Sequence, residues 1–367
     1  MNQRISVLQA TAIIVNAVTP SAIMVIPNQV ILMVKQDGWF SPLLSFLFIL
    51  PLIYIISGIC RRNNGKPLME CLESSFGKAA ATGIALIFSA YYLISSASVV
   101  RQFANFISEQ FIMTTPLAVI ALLITFVAVY IFAQGVEVMG RVSFFVLFVS
   151  ILFLGMNIFL LWGQYDWNHF LPVFETTPLE QLTASVPPVG WLTDITVVLL
   201  LMPYMKASAY GGKAAIWGAM MATVFYCLII AITLAVLGAK LVPSLTYPVF
   251  AALGTVQIGE FVERIDFILI MAWMASMFTK VSVFLFCFNQ MVLYSFRLRS
   301  HNGLYVATCL LVTAIALYSW PRNGAVNEFV FKSLTVYKII NNYALFFLIW
   351  IGLLLTKRKS NAEEAVS

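Results

Sequence analysis

The sequence predicts an all-α polytopic membrane protein of ten transmembrane helices, arranged as two five-helix halves of opposite orientation. Three observations carry this. Of 367 residues 61% are hydrophobic and only 10% charged, far below the charged fraction of a soluble domain. Apolar stretches long enough to cross a hydrocarbon core recur down the whole chain. Helix breakers also fall at corresponding places in the two halves: Thr19-Pro20-Ser21 with Pro27 in the first helix, and Pro187-Pro188 with Gly190 in the sixth.

Windows of about 20 residues place the first five helices at 9–34, 41–60, 81–108, 116–133 and 143–163. The second five fall at 183–205, 214–237, 266–293, 303–320 and 336–355. The chain thus reads as one membrane domain, 1–358, with repeats at 9–163 and 183–355 and a short polar tail, 359–367, expected to be disordered. An odd number of helices per half inverts the second copy. The first apolar segment is too long for a signal-peptide core and no small-residue cleavage site follows it, so it is expected to remain as a span.

An even number of spans puts both termini on one side. With that side cytoplasmic, Lys and Arg are about twice as frequent inside as outside, as the positive-inside rule requires. Lys35, Lys240, Arg264, Arg322, Lys332 and Lys338 fall outside on this reading. Two long outer connections follow, 164–182 and 238–265, the second expected to hold a surface helix at Val249–Val262. The net charge of +6 is spread over segment ends rather than gathered in a basic stripe, so nucleic acid is excluded as a partner. The five cysteines are unpaired by spacing and read as free thiols.

Backbone groups freed in lipid cost several kcal/mol each unless they are buried in protein or line a cavity, so paired breaks point to a midplane binding site. Three ionisable side chains sit within spans: Arg101, Asp194 and Lys280. Such groups face a bundle interior or water. Asp194 suits a cation, a proton or a ligand ammonium, or else a buried ion pair with Arg101 or Lys280. Lys280, with Ser276 one turn before it, has the place either of a coupling ion or of an ion-pair partner. Arg101 is nearer a helix end and is expected to reach the interface. Tyr91, Ser95 and Ser98 share one face of helix three, while Trp191 and Thr193 adjoin the second break. The two histidines, His169 and His301, are expected on opposite faces of the membrane. Neither a hydrolase nor a metal-site motif is present, so no enzyme, cofactor or metal is expected.

Local strings then run in order along residues 4–356: Ile5-Ser6 with Gln9, Pro27, Asp37-Gly38-Trp39, Phe76-Gly77-Lys78 with Gly83, and Val136-Glu137-Val138-Met139-Gly140-Arg141. Leu171-Pro172-Val173-Phe174, Tyr247-Pro248, Phe261-Val262-Glu263-Arg264 and Trp273 follow. In this combination the sequence resembles the spore germination permease family, the B subunits of endospore germinant receptors. The resemblance implies the fold of amino acid, polyamine and organocation transporters, with helices one and six broken. It also implies a place in the spore inner membrane beside an A subunit and a C lipoprotein, and a small nutrient ligand, usually an amino acid. Carried onto this chain, the ligand site would comprise Thr19, Pro20, Ser21, Tyr91, Ser95, Trp191, Thr193, Asp194 and Ser276. The glycines common at the first break are absent here. A cation- or proton-coupled amino acid transporter using Asp194 and Lys280, and a passive water or ion pathway, are the rival functions.

Overall fold

The computed structural model describes residues 4–63, 65–255, 265–298 and 302–364. The long helices are α1 (Val7–Val34), α2 (Ser41–Arg62), α3 (Lys78–Gln110), α4 (Leu117–Ala133) and α5 (Val136–Leu160). They continue as α6 (Pro178–Tyr204), α7 (Gly211–Leu241), α8 (Ile265–Phe296), α9 (Asn302–Tyr318) and α10 (Thr335–Glu364). Among the described residues, seven stretches are long and apolar enough to cross a membrane. The first of these, Val7–Arg62, holds both α1 and α2, and the apolar helices α4 and α9 are shorter than the other spans.

Helix α1 is the axis of the bundle. Nearly every residue from Ala10 to Ile31 is buried, as expected for a helix that is apolar on all sides, and it packs on α7, α8 and α5. Its start is fixed by a capping box in which Ser6 and Gln9 exchange side-chain and backbone hydrogen bonds. Just before it, Ile5 lies beside Met205 at the end of α6. The Ile5 N–H donates to the Tyr204 carbonyl at 2.8 Å and the Lys206 N–H to the Ile5 carbonyl at 3.0 Å.

The expected break at Thr19-Pro20-Ser21 is not there: α1 is one continuous helix containing both Pro20 and Pro27. A proline removes one N–H but keeps helical φ, and without glycines an unwound stretch would leave more backbone unpaired inside a packed core. Helix six does change form, a turn later than the prolines suggest. Pro187 and Pro188 sit in the first turn of Val186–Leu192, where proline is tolerated, and the ladder tightens to a 3₁₀ stretch over Thr193–Val197.

The last helix departs most from expectation. Helical structure begins at Asn323 rather than 336, runs through a π-helical turn at Val330–Leu334 and continues as α10. Lys338 is therefore inside the bundle, not in an outer loop. The tail expected to be disordered from Ser360 is helical as far as Glu364. Gly190 of α6 lies against Thr335, so close that an added Cβ would sit 2.6 Å from the threonine methyl. Just past the end of α1, Asp37 accepts hydrogen bonds from the Phe174 and Thr176 N–H groups, at 2.7 and 3.1 Å, and from the Thr176 hydroxyl at 2.8 Å. These pin the 164–182 connection to the end of α1. A short helix follows α7 at Pro248–Leu253, but it is buried to half-buried rather than lying on the surface; residues 256–262 of the predicted span, with the Phe261–Arg264 string, lie outside the described residues, as does His301.

Candidate functional site: an aspartate between two lysines

Where α6 turns to 3₁₀ geometry it directs Asp194 into the bundle, and α8 and α10 each direct a lysine at the same carboxylate. Lys338 Nζ lies 2.6 Å and Lys280 Nζ 3.5 Å from Asp194 Oδ2, and all three residues have 0–1% of their side-chain surface exposed. The other carboxylate oxygen accepts from the Tyr91 hydroxyl of α3 at 2.5 Å. One turn beyond Lys338, Asn342 donates to the Tyr91 hydroxyl and to the Thr193 hydroxyl, both at 3.0 Å, and accepts from Thr196 at 3.2 Å. Lys280 also donates to the Val18 carbonyl of α1 at 3.4 Å, which takes a second hydrogen bond from Tyr226 of α7 at 3.3 Å.

The ammonium groups share one aromatic platform. Lys338 stands 4.0 Å and Lys280 4.9 Å from the centre of the Trp191 ring, and Phe284 flanks both. Attraction to a ring face replaces part of the lost hydration of a cation. The cluster ties α1, α3, α6, α8 and α10 through one carboxylate, and carries two formal positive charges against one negative. Burial of an ion pair stabilises only where the geometry is close and the remaining donors are met, and here both ammonium groups and the carboxylate have such partners.

The residues predicted for a ligand site divide in two. Tyr91, Trp191, Thr193, Asp194 and Lys280 meet in the closed cluster. Thr19 and Ser276 instead line a separate cavity of about 100 Å³ between α1, α5, α7, α8 and the Pro248–Leu253 helix. Pro20 adjoins this cavity, its carbonyl accepting the Trp273 indole N–H at 2.8 Å, and Trp273 forms part of the wall. Ser21 and Ser95 are buried with hydroxyls that meet no partner among the described residues, as is the Trp191 indole nitrogen. Val18 and Lys280, adjacent to Thr19 and one turn from Ser276, are the contact between cavity and cluster.

Arg101 is held by the end of a neighbouring helix. It is 4% exposed and donates to the carbonyls of Ala316 and Leu317 at the end of α9, and to Asn105 and Asn323; free carbonyls at a helix end attract a cation. Sequence reasoning missed Lys338, Asn342 and Tyr226. The available signal was Lys338 with Asn341 and Asn342 at helical spacing within an apolar window, a polar face on one side of a helix. Among the described residues, no cluster of metal-ligating side chains occurs.

The fold is that of known membrane transporters. The chain superposes on Mhp1, a nucleobase-cation-symport-1 family transporter in a closed conformation with bromovinylhydantoin bound, with a TM-score of 0.64 at 14% identity, covering 90% of this chain and 75% of that one. A manganese transporter mutant of Eremococcus coleocola gives 0.63 at 12% identity, over 96% of this chain and 86% of that one. MhsT in complex with L-phenylalanine gives 0.58 at 12% identity, with 97% and 99% covered.

Within that fold, residues 4–324 match the family described as Spore germination protein, and the chain belongs to it. Among its relatives in Bacillus subtilis (strain 168), Spore germination protein A2 is 23% identical over 329 residues, 88% of each chain. Putative spore germination protein YfkT is 26% identical over 251 residues, 68% of each chain. Spore germination protein B2 is 18% identical over 349 residues, 95% of this chain and 94% of the relative.

Proposed function

We propose that this chain is the membrane subunit of a germinant receptor: it binds a small nutrient solute within the bundle and passes a conformational signal to partner subunits. The observation that carries the reading is the cavity at Thr19 and Ser276, one helical turn from a charge cluster joined to five helices. A solute that alters the α1–α8 contact at Val18 and Lys280 has a direct mechanical route to α6 and α10, and binding selects whichever arrangement it fits better.

In this reading the chain is a single membrane domain, residues 1–358, crossing ten times as two inverted repeats, with both termini on the core side of the spore inner membrane. Its partners are an A subunit and a C lipoprotein, and it needs neither a cofactor nor catalytic chemistry. Deleting the gene and following dipicolinic acid release from spores tests it: loss of response to at least one nutrient is expected, and unchanged responses to every nutrient the organism senses refute it.

A second reading is favoured by the three ionisable side chains held together in the core, the arrangement of a proton- or cation-coupled transporter. Uptake into proteoliposomes separates the two, since a sensor binds its solute without accumulating it.

A further inference from the structure

We infer that the solute held at Thr19 and Ser276 is uncharged, with a compact apolar body and one hydrogen-bond donor, and that a free carboxylate is excluded. The inference deepens the proposed function and rests on it only for the word nutrient.

The wall of the cavity is mostly apolar, with the rings of Phe153, Phe225, Phe250 and Trp273 facing aliphatic side chains, and among the described residues none that lines it is charged. Its polar groups are mostly acceptors. The hydroxyl protons are spent on their own helices: Thr19 donates to Val15, Ser150 to Val146, Thr233 to Ile229 and Ser276 to Trp273. The Asn157 amide donates to Phe153 at 2.8 Å, leaving its Oδ1 buried without a partner, and the Trp273 N–H is taken by Pro20. What remains for a solute is a set of acceptor lone pairs and the second N–H of the Asn157 amide.

A carboxylate entering this space would meet mainly acceptors, a single amide N–H at Asn157 and no counter-charge, while its own hydration is lost. The nearest ammonium, Lys280, is already engaged by Asp194 and Val18 on the far side of α1. A solute that donates one hydrogen bond to Asn157 Oδ1 satisfies the one atom the wall leaves unpaired. The space is small, about 100 Å³ against the ~150 Å³ cavity that holds benzene, which suits a branched solute of about five or six heavy atoms.

The test uses the full chain in lipid nanodiscs and four probes: isobutyramide, isobutanol and isobutyrate, which are of similar bulk, and the larger valine. Ligand-observed NMR is expected to show the amide and the alcohol binding at least tenfold more tightly than isobutyrate or valine. Ile232→Phe, which fills the cavity from α7, should abolish binding, and Asn157→Leu should remove the preference for donor-bearing probes. If Ile232→Phe fails to fold, Ala272→Leu fills the same space from α8. Binding of isobutyrate or valine as tight as that of the amide overturns the inference, as does binding that survives Ile232→Phe. So does native mass spectrometry showing a phospholipid retained by the wild-type chain and lost on filling the cavity, since the occupant would then be an acyl chain. These readouts need no spores, so a failed deletion test leaves them standing, and a failure here leaves the receptor role intact.

Discussion

Replacing Asp194 with Asn should destabilise the protein far more than replacing either lysine that holds it. The substitution keeps the shape but leaves the ammonium groups of Lys280 and Lys338, both essentially inaccessible to solvent, without their shared counter-charge. Removing one partner from a buried ion pair costs about 3–5 kcal/mol. Lys338→Met leaves Asp194 with Lys280 at 3.5 Å and the Tyr91 hydroxyl at 2.5 Å, a centre whose charges balance. Its cost is then that of one hydrogen bond to a charged group, about 1.5–3 kcal/mol. A gap of about 2 kcal/mol corresponds to roughly a 30-fold difference in the unfolding equilibrium. Equilibrium unfolding in mixed micelles with increasing sodium dodecyl sulfate, read by tryptophan fluorescence and by circular dichroism to check two-state behaviour, measures it. The triple variant Asp194→Asn, Lys280→Met, Lys338→Met should recover part of the loss, because it buries no charge. A Lys338→Met variant as unstable as Asp194→Asn, or a triple variant no better than the single one, would refute the charge-imbalance reasoning.

Four further outcomes can be read in the same assay or beside it. Tyr91→Phe removes the donor to Asp194 Oδ1 and should cost about 1.5–3 kcal/mol; added to Asp194→Asn it should cost much less, the non-additivity of a shared contact. Arg101→Leu strands the carbonyls of Ala316 and Leu317, with a loss of about 1–3 kcal/mol and faster amide exchange at the end of α9. Gly190→Ala drives a methyl into Thr335 and should cost about 1–3 kcal/mol, relieved in part by Thr335→Ser; no relief would place the clash elsewhere. Asp37→Asn weakens the hold on Phe174 and Thr176, so limited proteolysis of intact spheroplasts should cut the 171–176 stretch sooner while α1 stays protected.

Asp194 and Lys280 were legible in the sequence because a charge in the middle of an apolar window is conspicuous whatever surrounds it. Lys338 was not, because Arg322, Glu328, Lys332 and Lys338 fall close together and read as an outer loop. In the fold Glu328 and Lys332 neutralise each other on an exposed face at 2.8 Å, so that the helix starts at Asn323 and carries Lys338 into the core. The prolines of α1 misled for a related reason: sequence shows the missing N–H but not how tightly neighbouring helices hold the rest of the turn. Most of the long helices lie close to their predicted windows, since apolar length is a local property. The cavity could not be foreseen, being assembled from the faces of four helices and a loop helix that no window relates.

The pairing of Ile5 with Tyr204 and Lys206 bears on how this bundle can move. It splices the stretch leading into α1 to the chain leaving α6, so these ends of the two central helices are yoked. Any opening there has to shear two main-chain hydrogen bonds or swing both helices together. A push on α1 would then arrive at this end as a joint tilt of the pair, delivered beside Met205 and Lys206.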